Sequence, residues 1–171
     1  LYSAYLPYSI HRQVMMDAAQ YIMDMIYVET LREEEGGTYG ASISFDIQSK
    51  PEERATVQVY FDTNPESADK LRKTAVDGLT KLMEEGPTDE QLSMTIENFK
   101  KNLPEKRIRN GYWLSNLKYF YEYGTDFDKA YEEAIADINA ENIKAAVKDI
   151  VSQGNFIEVM MSPEATEADA Q

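Results

Sequence analysis

The segment Leu31-Arg32-Glu33-Glu34-Glu35-Gly36-Gly37-Thr38-Tyr39-Gly40 holds the residues best suited to chemistry. Its glutamates Glu33, Glu34 and Glu35 close a helical pattern, where the negative end of the helix dipole disfavours them. Two glycines follow, and then an aromatic residue. Two readings of this segment are open. In the first, Arg32 pairs with Glu35 at i,i+3, and Tyr39 packs as the first residue of a strand. In the second, the Gly36-Gly37 turn folds the chain back so that Arg32 and Tyr39 face one cleft. A guanidinium and a phenol placed there would both donate to a peptide carbonyl, which suits carbonyl or oxyanion stabilisation.

Other chemistries lack their residues. The single histidine, His11, stands in the run His11-Arg12-Gln13-Val14-Met15, without the H-x-x-E-H spacing of a zinc peptidase. It reads as a capping or surface residue at a helix start. There is no cysteine, which excludes a disulfide framework and thiolate metal ligation. No G-x-S-x-G elbow, P-loop or G-x-G-x-x-G run occurs, and the serines fall in loops or on the wet face of a strand. The tyrosine-rich stretch Tyr112 to Tyr123 lacks the dense basic residues of a base-stacking platform and reads as core plus rim.

The charge balance points the same way. Against 31 acids stand 17 bases, a net charge of −14 that repels phosphate backbones, so nucleic acid is not an expected partner. The acids are spread along the chain. Solubility is the plain reading of them, and an acidic face that attracts basic peptides is the sharper one. No apolar run reaches the roughly 18 residues of a membrane span. The chain starts at Leu1 without a signal peptide, and the expectation is a piece of a longer protein.

The elements that must position Arg32 and Tyr39 are legible from periodicity. A lead-in, Leu1 to Ser9, precedes a long helix whose apolar residues Val14, Ala18, Ile22 and Met25 recur at helical spacing. Met15, Ala19, Ile26 and Leu31 widen that face, so the helix should be largely covered, and Gly36-Gly37 should end it. Strict alternation follows, with Tyr39, Ala41, Ile43, Phe45 and Ile47 on one side of a strand. A turn containing Pro51 leads to a second alternating run, Ala55, Val57, Val59 and Phe61, which completes an antiparallel hairpin.

The remainder reads as helices. One is expected to start at Asn64-Pro65 and stop at Gly86-Pro87. Thr88 and Gln91 form a capping box for the next, which Pro104 should kink or end. Gly111 and Gly124 bracket an aromatic helix with Trp113, Leu117, Phe120 and Tyr121. A short helix over Lys129 to Ala136 and one capped by Asn139 precede a final strand, Phe156 to Met161. Segregated strands and helices give an α+β class, an antiparallel sheet with helices on one face. One domain is expected over 1–162, truncated at its N-terminus, with a frayed acidic tail over 163–171.

The junction also carries a resemblance. Leu31-Arg32 and Tyr39 resemble the Leu-Arg-x-x-x-x-x-x-Tyr pattern in C-terminal domains of the pitrilysin/insulinase zinc metallopeptidases, and Glu35 falls where a glutamate is common. Gly86-Pro87-Thr88-Asp89-Glu90-Gln91-Leu92 is similar to the family's turn and helix start. So is Ile135-Ala136-Asp137-Ile138-Asn139-Ala140-Glu141-Asn142-Ile143 to the run before its last helix. The resemblance covers about Pro7 to Ser162.

It implies a LuxS/MPP-like α/β domain, the last of four arranged as two halves that close into a chamber. Zinc and the catalytic glutamate would lie in the parent's N-terminal domain, with no cofactor in this chain. Arg32 would bind a peptide carbonyl, and Tyr39 would stabilise the oxyanion. The implied partners are a peptide substrate and the remaining domains of the same peptidase, and the isolated chain would be inert. Two alternatives stand beside this. One is a structural, noncatalytic member of the fold, like the core proteins of the respiratory cytochrome bc1 complex. The other is an unrelated acidic interaction module in which Arg32 and Tyr39 do not converge.

Overall fold

In the computed structural model, which describes residues 1–34, 38 and 40–161, with 32–34 as backbone alone, the chain begins with a short strand, β1 (Tyr2–Ala4). The lead-in therefore contains a strand that alternation over so few residues does not announce. Helix α1 follows over Ile10–Tyr27, capped by Ser9, whose hydroxyl accepts from the Arg12 amide at 3.1 Å. From Val28 to Glu34 the helix continues with π-helical winding. Val28 and Thr30 are β-branched, and the Thr30 hydroxyl donates to the Ile26 carbonyl at 2.8 Å, which competes with the regular ladder there.

Strands β2 (Ala41–Gln48) and β3 (Arg54–Phe61) form the expected hairpin, in a register that sets Phe45 opposite Val57 and Ile43 opposite Val59. The sheet order is β1-β3-β2, all antiparallel. Ile43, Phe45, Ala55 and Val57 are buried on one face, while Ser42, Asp46, Gln58 and Tyr60 are exposed on the other. Alternation has thus put one face dry and one wet.

Helices α2 (Ala68–Glu85), α3 (Asp89–Arg107), α4 (Asn110–Tyr123), α5 (Phe127–Ala136) and α6 (Ala140–Val151) complete the chain. The sheet lies along α1, and α2, α3, α5 and α6 also pack on that helix. The α+β class with one covered sheet face holds. The capping box at Thr88 and Gln91 is formed, and Asn139 caps α6 by accepting from the Asn142 amide at 2.9 Å. Gly86 and Gly124 end α2 and α4 at positive φ, 83° and 69°.

Three expectations are corrected, and the aromatic helix is resolved into its core and its rim. Asn64-Pro65 does not open α2: residues 64–67 make a turn, with the Ser67 amide donating to the Asn64 carbonyl at 3.0 Å, and the helix starts at Ala68. Pro104 does not end α3, which runs on to Arg107. Tertiary bonds hold that last turn, since the Trp113 indole donates to the Arg107 carbonyl at 2.8 Å. Trp113, Leu117, Phe120 and Tyr121 are exposed by 44%, 56%, 50% and 85%, because α4 turns Tyr112, Asn116 and Tyr119 inward instead. Finally, Phe156 to Met161 is not a full strand. Backbone bonds tie Asn155 and Ile157 to Ser3 and Leu1 beside β1, and Val159, Met160 and Met161 are exposed. The tail at 163–171 lies outside the described residues.

The α1–α2 contact depends on one close approach. The buried Tyr27 hydroxyl donates to the Ala75 carbonyl at 2.8 Å. Its ring crosses α2 at Gly78, where a Cβ would stand 3.3 Å from Tyr27 Cε1. Tyr27→Phe is expected to cost about 1 kcal/mol of folding stability. The check is urea unfolding, read as a lower midpoint with an unchanged slope.

Candidate functional site

The junction between α1 and β2 is built from both ends. Leu31 is fully buried in the π-helical winding and anchors the helical side. On the strand side Thr38 is buried, and its hydroxyl donates to the Gly40 carbonyl at 2.9 Å and accepts from the Gly40 amide at 3.2 Å. π-helical turns recur at functional positions because they re-aim the residues they carry. Arg32 has its backbone in this turn. Its side chain, Tyr39, Glu35 and the Gly36-Gly37 turn lie outside the described residues, as does the question of whether Arg32 and Tyr39 converge.

A second feature lies on α1 itself. Asp17, Gln20, Tyr21 and Asp24 follow i, i+3, i+4, i+7 and form a half-buried polar stripe on a helix half of whose residues are buried. With Asn98 and Lys106 of α3 and Tyr131 of α5 they line an open cleft of about 260 Å³. Gln20 also holds the edge of the sheet, its side-chain oxygen accepting from the Phe45 amide at 3.1 Å. This stripe was readable in the sequence as polar residues at helical spacing among apolar ones, but apolar periodicity drew attention to the opposite faces.

The electrostatics of the cleft are uneven. Burial lifts the Asp17 pKa from an ordinary 3.8 to about 6, a rise that Lys106 opposes and Asp46 of β2 reinforces. Burial also raises Asp24. Neither carboxylate forms a hydrogen bond or ion pair with another described residue. Lys106 is engaged elsewhere, donating to the Tyr131 hydroxyl at 2.8 Å with its ammonium 4.8 Å from that ring's centre.

Beyond the cleft, Arg107 ties α3 to α5. Its guanidinium donates to both Asp128 oxygens at 2.9 and 2.8 Å and to Glu132 at 2.7 Å. Tyr112 of α4 donates to Asp128 at 2.7 Å, and burial first, then this bond, pushes its phenol up to about 12. The Arg107 bonds hold the Asp128 carboxyl below its ordinary range. His11 Nε2 lies 2.6 Å from Asp137 Oδ2 at the surface, so it is a surface pairing residue and Ser9 is the cap. Among the described residues no group of three or more His, Cys, Asp or Glu could hold a metal. No described helix is long and apolar enough to cross a membrane.

Residues 4–99 match the family described as the peptidase M16 inactive domain. The chain belongs to that family. A zinc protease PQQL-like protein of Arabidopsis thaliana is 28% identical over 101 residues, which cover 56% of this chain and 11% of that relative. Among solved structures, the periplasmic protease PqqL from Escherichia coli is similar with a TM-score of 0.73 at 19% identity. That match covers 88% of this chain and 17% of PqqL. A peptidase M16 inactive domain from Pseudomonas fluorescens gives 0.59 at 17% identity, over 78% of this chain and 34% of that one. The ferredoxin protease FusC, solved as a mutant with Arabidopsis ferredoxin, gives 0.69 at 16% identity, over 86% of this chain and 16% of FusC. The chain thus spans a small part of each of the two proteases.

In this inactive domain the buried charge of Asp17 makes a pH prediction. Because folding raises its pKa, the folded state binds the proton more tightly than the unfolded chain. Its contribution to stability is fullest below about pH 4 and is lost as pH rises through about 6. Asp17→Asn is therefore expected to stabilise the domain at pH 7.5 by on the order of 1–3 kcal/mol. Thermal unfolding across pH 4 to 8 checks this, and the gain over the unaltered chain should vanish at the acid end.

Proposed function

We propose that this chain is the noncatalytic, substrate-binding domain of a larger zinc metallopeptidase that cleaves peptides or small proteins. The observation that carries the proposal is the Leu31-Arg32 and Tyr39 pattern at a helix-to-strand junction, in a chain of the peptidase M16 inactive-domain family. Two further observations support it. A relative carries the name of a zinc protease. FusC, of like fold, was solved in complex with a small protein, ferredoxin.

The work assigned to this chain is binding and polarisation. The Arg32 guanidinium donates to a backbone carbonyl of the bound peptide and fixes its register. The Tyr39 phenol donates to the scissile carbonyl oxygen as it gains negative charge. Such a donor acts most strongly where water is excluded, which the closing of the two halves of the parent supplies. Zinc, bound elsewhere in the parent, would supply Lewis-acid chemistry. The donor set here does not fit that metal, with one histidine and no cysteine, so no metal-bound step belongs to this chain.

Tyr39→Phe in the full-length parent is expected to lower turnover about a hundredfold while leaving thermal unfolding unchanged. Peptide hydrolysis by the parent, with and without a zinc chelator, beside this chain alone, frames the test. Chelator-sensitive activity in the parent and none in the chain is the expected result. An inert parent would replace the proposal with the scaffold reading, and unchanged turnover in Tyr39→Phe would remove the oxyanion role.

A further inference from the structure

Strand β1 stops where its two neighbours run on. It pairs with β3 only from Tyr2 to Ala4, opposite Ala55–Val57, while β3 continues to Phe61. On its other side Leu1 and Ile157 exchange both backbone bonds, at 2.8 and 2.9 Å, and the described chain there continues to Met161. Beyond Leu1 this leaves a slot between residues 58–61 of β3 and residues 158–161. Its flanks stand about 10 Å apart, twice the spacing of neighbouring strands. We propose that the four residues preceding Leu1 in the parent fill this slot as an extension of β1. The proposal rests on the reading of this chain as one domain of a longer protein, and it adds where that protein enters the domain.

The polar backbone groups of both flanks point into the slot, because bond directions alternate along a strand. The Ile157 amide donates to the Leu1 carbonyl, so the amides of Val159 and Met161 point the same way. On the other flank, the Phe45 amide turns away from β3 to Gln20, which leaves the opposed Val57 directed toward β1. Val59 and Phe61 follow Val57 at the same parity and face the slot. Among the described residues no strand pairs with 58–61 on this side, and none with 158–161. Glu158 keeps the outer flank in line, since its carboxylate accepts from Arg72 of α2 at 3.2 Å. Two such edges facing each other across the width of one strand are a template for that strand.

Direction and register identify the occupant. An extension of β1 runs antiparallel to both flanks, as β1 does. Tyr2 stands opposite Val57 on one side and Phe156 on the other. Continued outward, this register places the residue before Leu1 between Val59 and Glu158, and the third before it between Phe61 and Met160. Both positions face the helices, as Tyr2, Val59 and Phe61 do where they pack against the core. An apolar residue is expected at the third position. The outer flank also leaves Ile157, Val159, Met160 and Met161 exposed, an apolar strip that natural sheets seldom leave on a free edge. The stretch 163–171, rich in acids and alanine, has low strand propensity and little to cover that strip. The new strand would enter where β2 begins, since Ala41 stands opposite Phe61. The parent thus reaches this domain through an inner strand, at the end of the sheet that carries the junction.

Cysteine pairs in the full-length parent, with any native cysteine replaced, test the register; this chain contributes none. One pair joins the third residue before Leu1 to Met160→Cys, on the helix side of the outer flank. The other joins the second residue before Leu1 to Tyr60→Cys, on the wet side of β3. Both are pairs without mutual backbone bonds, whose Cα atoms lie about 4.5 Å apart, within reach of a disulfide. The control combines the second residue with Met160→Cys, which point to opposite faces. Under mild oxidation, read by loss of thiol labelling, each matched pair should close about tenfold faster than the control. Deletion of 163–171 should change neither rate. Met160 and Tyr60 are both exposed, on opposite faces, so a folding defect in one variant leaves the other to decide. No disulfide in a folded matched pair, equal closure of the control, or loss of closure on that deletion would overturn the proposal. Closure needs neither zinc nor turnover, so an inert parent that closes in register would end the peptidase reading and leave this inference standing.

Discussion

Burial of α1 on nearly all sides is the constraint from which the other layers take their places. Val14, Met15, Met16, Ala18, Ala19, Ile22 and Met23 are each within 1% of complete burial. A helix apolar around so much of its circumference cannot stand at a surface. The sheet must cover one side, and α2, α3, α5 and α6 must cover the others. The sheet faces follow from this, since Ile43, Phe45, Ala55 and Val57 are the residues that can lie against it. The position of α2 follows too, because Tyr27 reaches its backbone and only a small residue, Gly78, admits the ring.

Such a helix has little room for charge, which gives Asp17 and Asp24 their meaning. An aspartate at this depth costs stability in proportion to its raised pKa, and an asparagine or alanine would avoid the cost. The surrounding structure offsets it only in part, through the nearby charge of Lys106. Lys106, the obvious partner, is held by Tyr131. Elsewhere the same chain shows what an offset charge looks like: Asp128 receives two bonds from Arg107 and one from Tyr112, and its carboxyl is held below the ordinary range. Asp17 and Asp128, both partly withdrawn from water, thus shift in opposite directions, the one by burial and the other by its bonds to Arg107.

The sequence was most readable where one period governed a whole element. The α1 stripe, the β2–β3 hairpin, the Thr88–Gln91 capping box and the Asn139 cap each follow from a local rule, and the fold keeps all of them. It was least readable where tertiary contacts override local rules. Pro104 would end an isolated helix, but the Arg107 network carries α3 one turn further. On α4, hydropathy favours Trp113, Leu117 and Phe120 as the inward residues. The bond from Tyr112 to Asp128 and the packing of Tyr119 on Phe127 turn the helix the other way and leave the more apolar face exposed. β1 and the Asn155–Ile157 segment are too short for alternation to register, and their pairing is a long-range event between opposite ends of the chain. The Arg32 and Tyr39 junction was legible as a pattern and as an element boundary, since a helix and a strand do flank it.

The cleft and the junction are carried by one rod. Asp24 precedes Leu31 by seven residues, a rise of about 10 Å along a helix. Because α1 is covered on most sides, its own part of this spacing, up to Tyr27, is held by packing. The π-helical winding over Val28–Glu34 lies between the two, and it is the only part of the helix not wound as a regular α-helix among the described residues. Departure from regular winding is therefore confined to the turn that leads to the junction, while the buried part supplies the rigidity that positioning requires. The burial that makes Asp17 costly thus also makes it a fixed point.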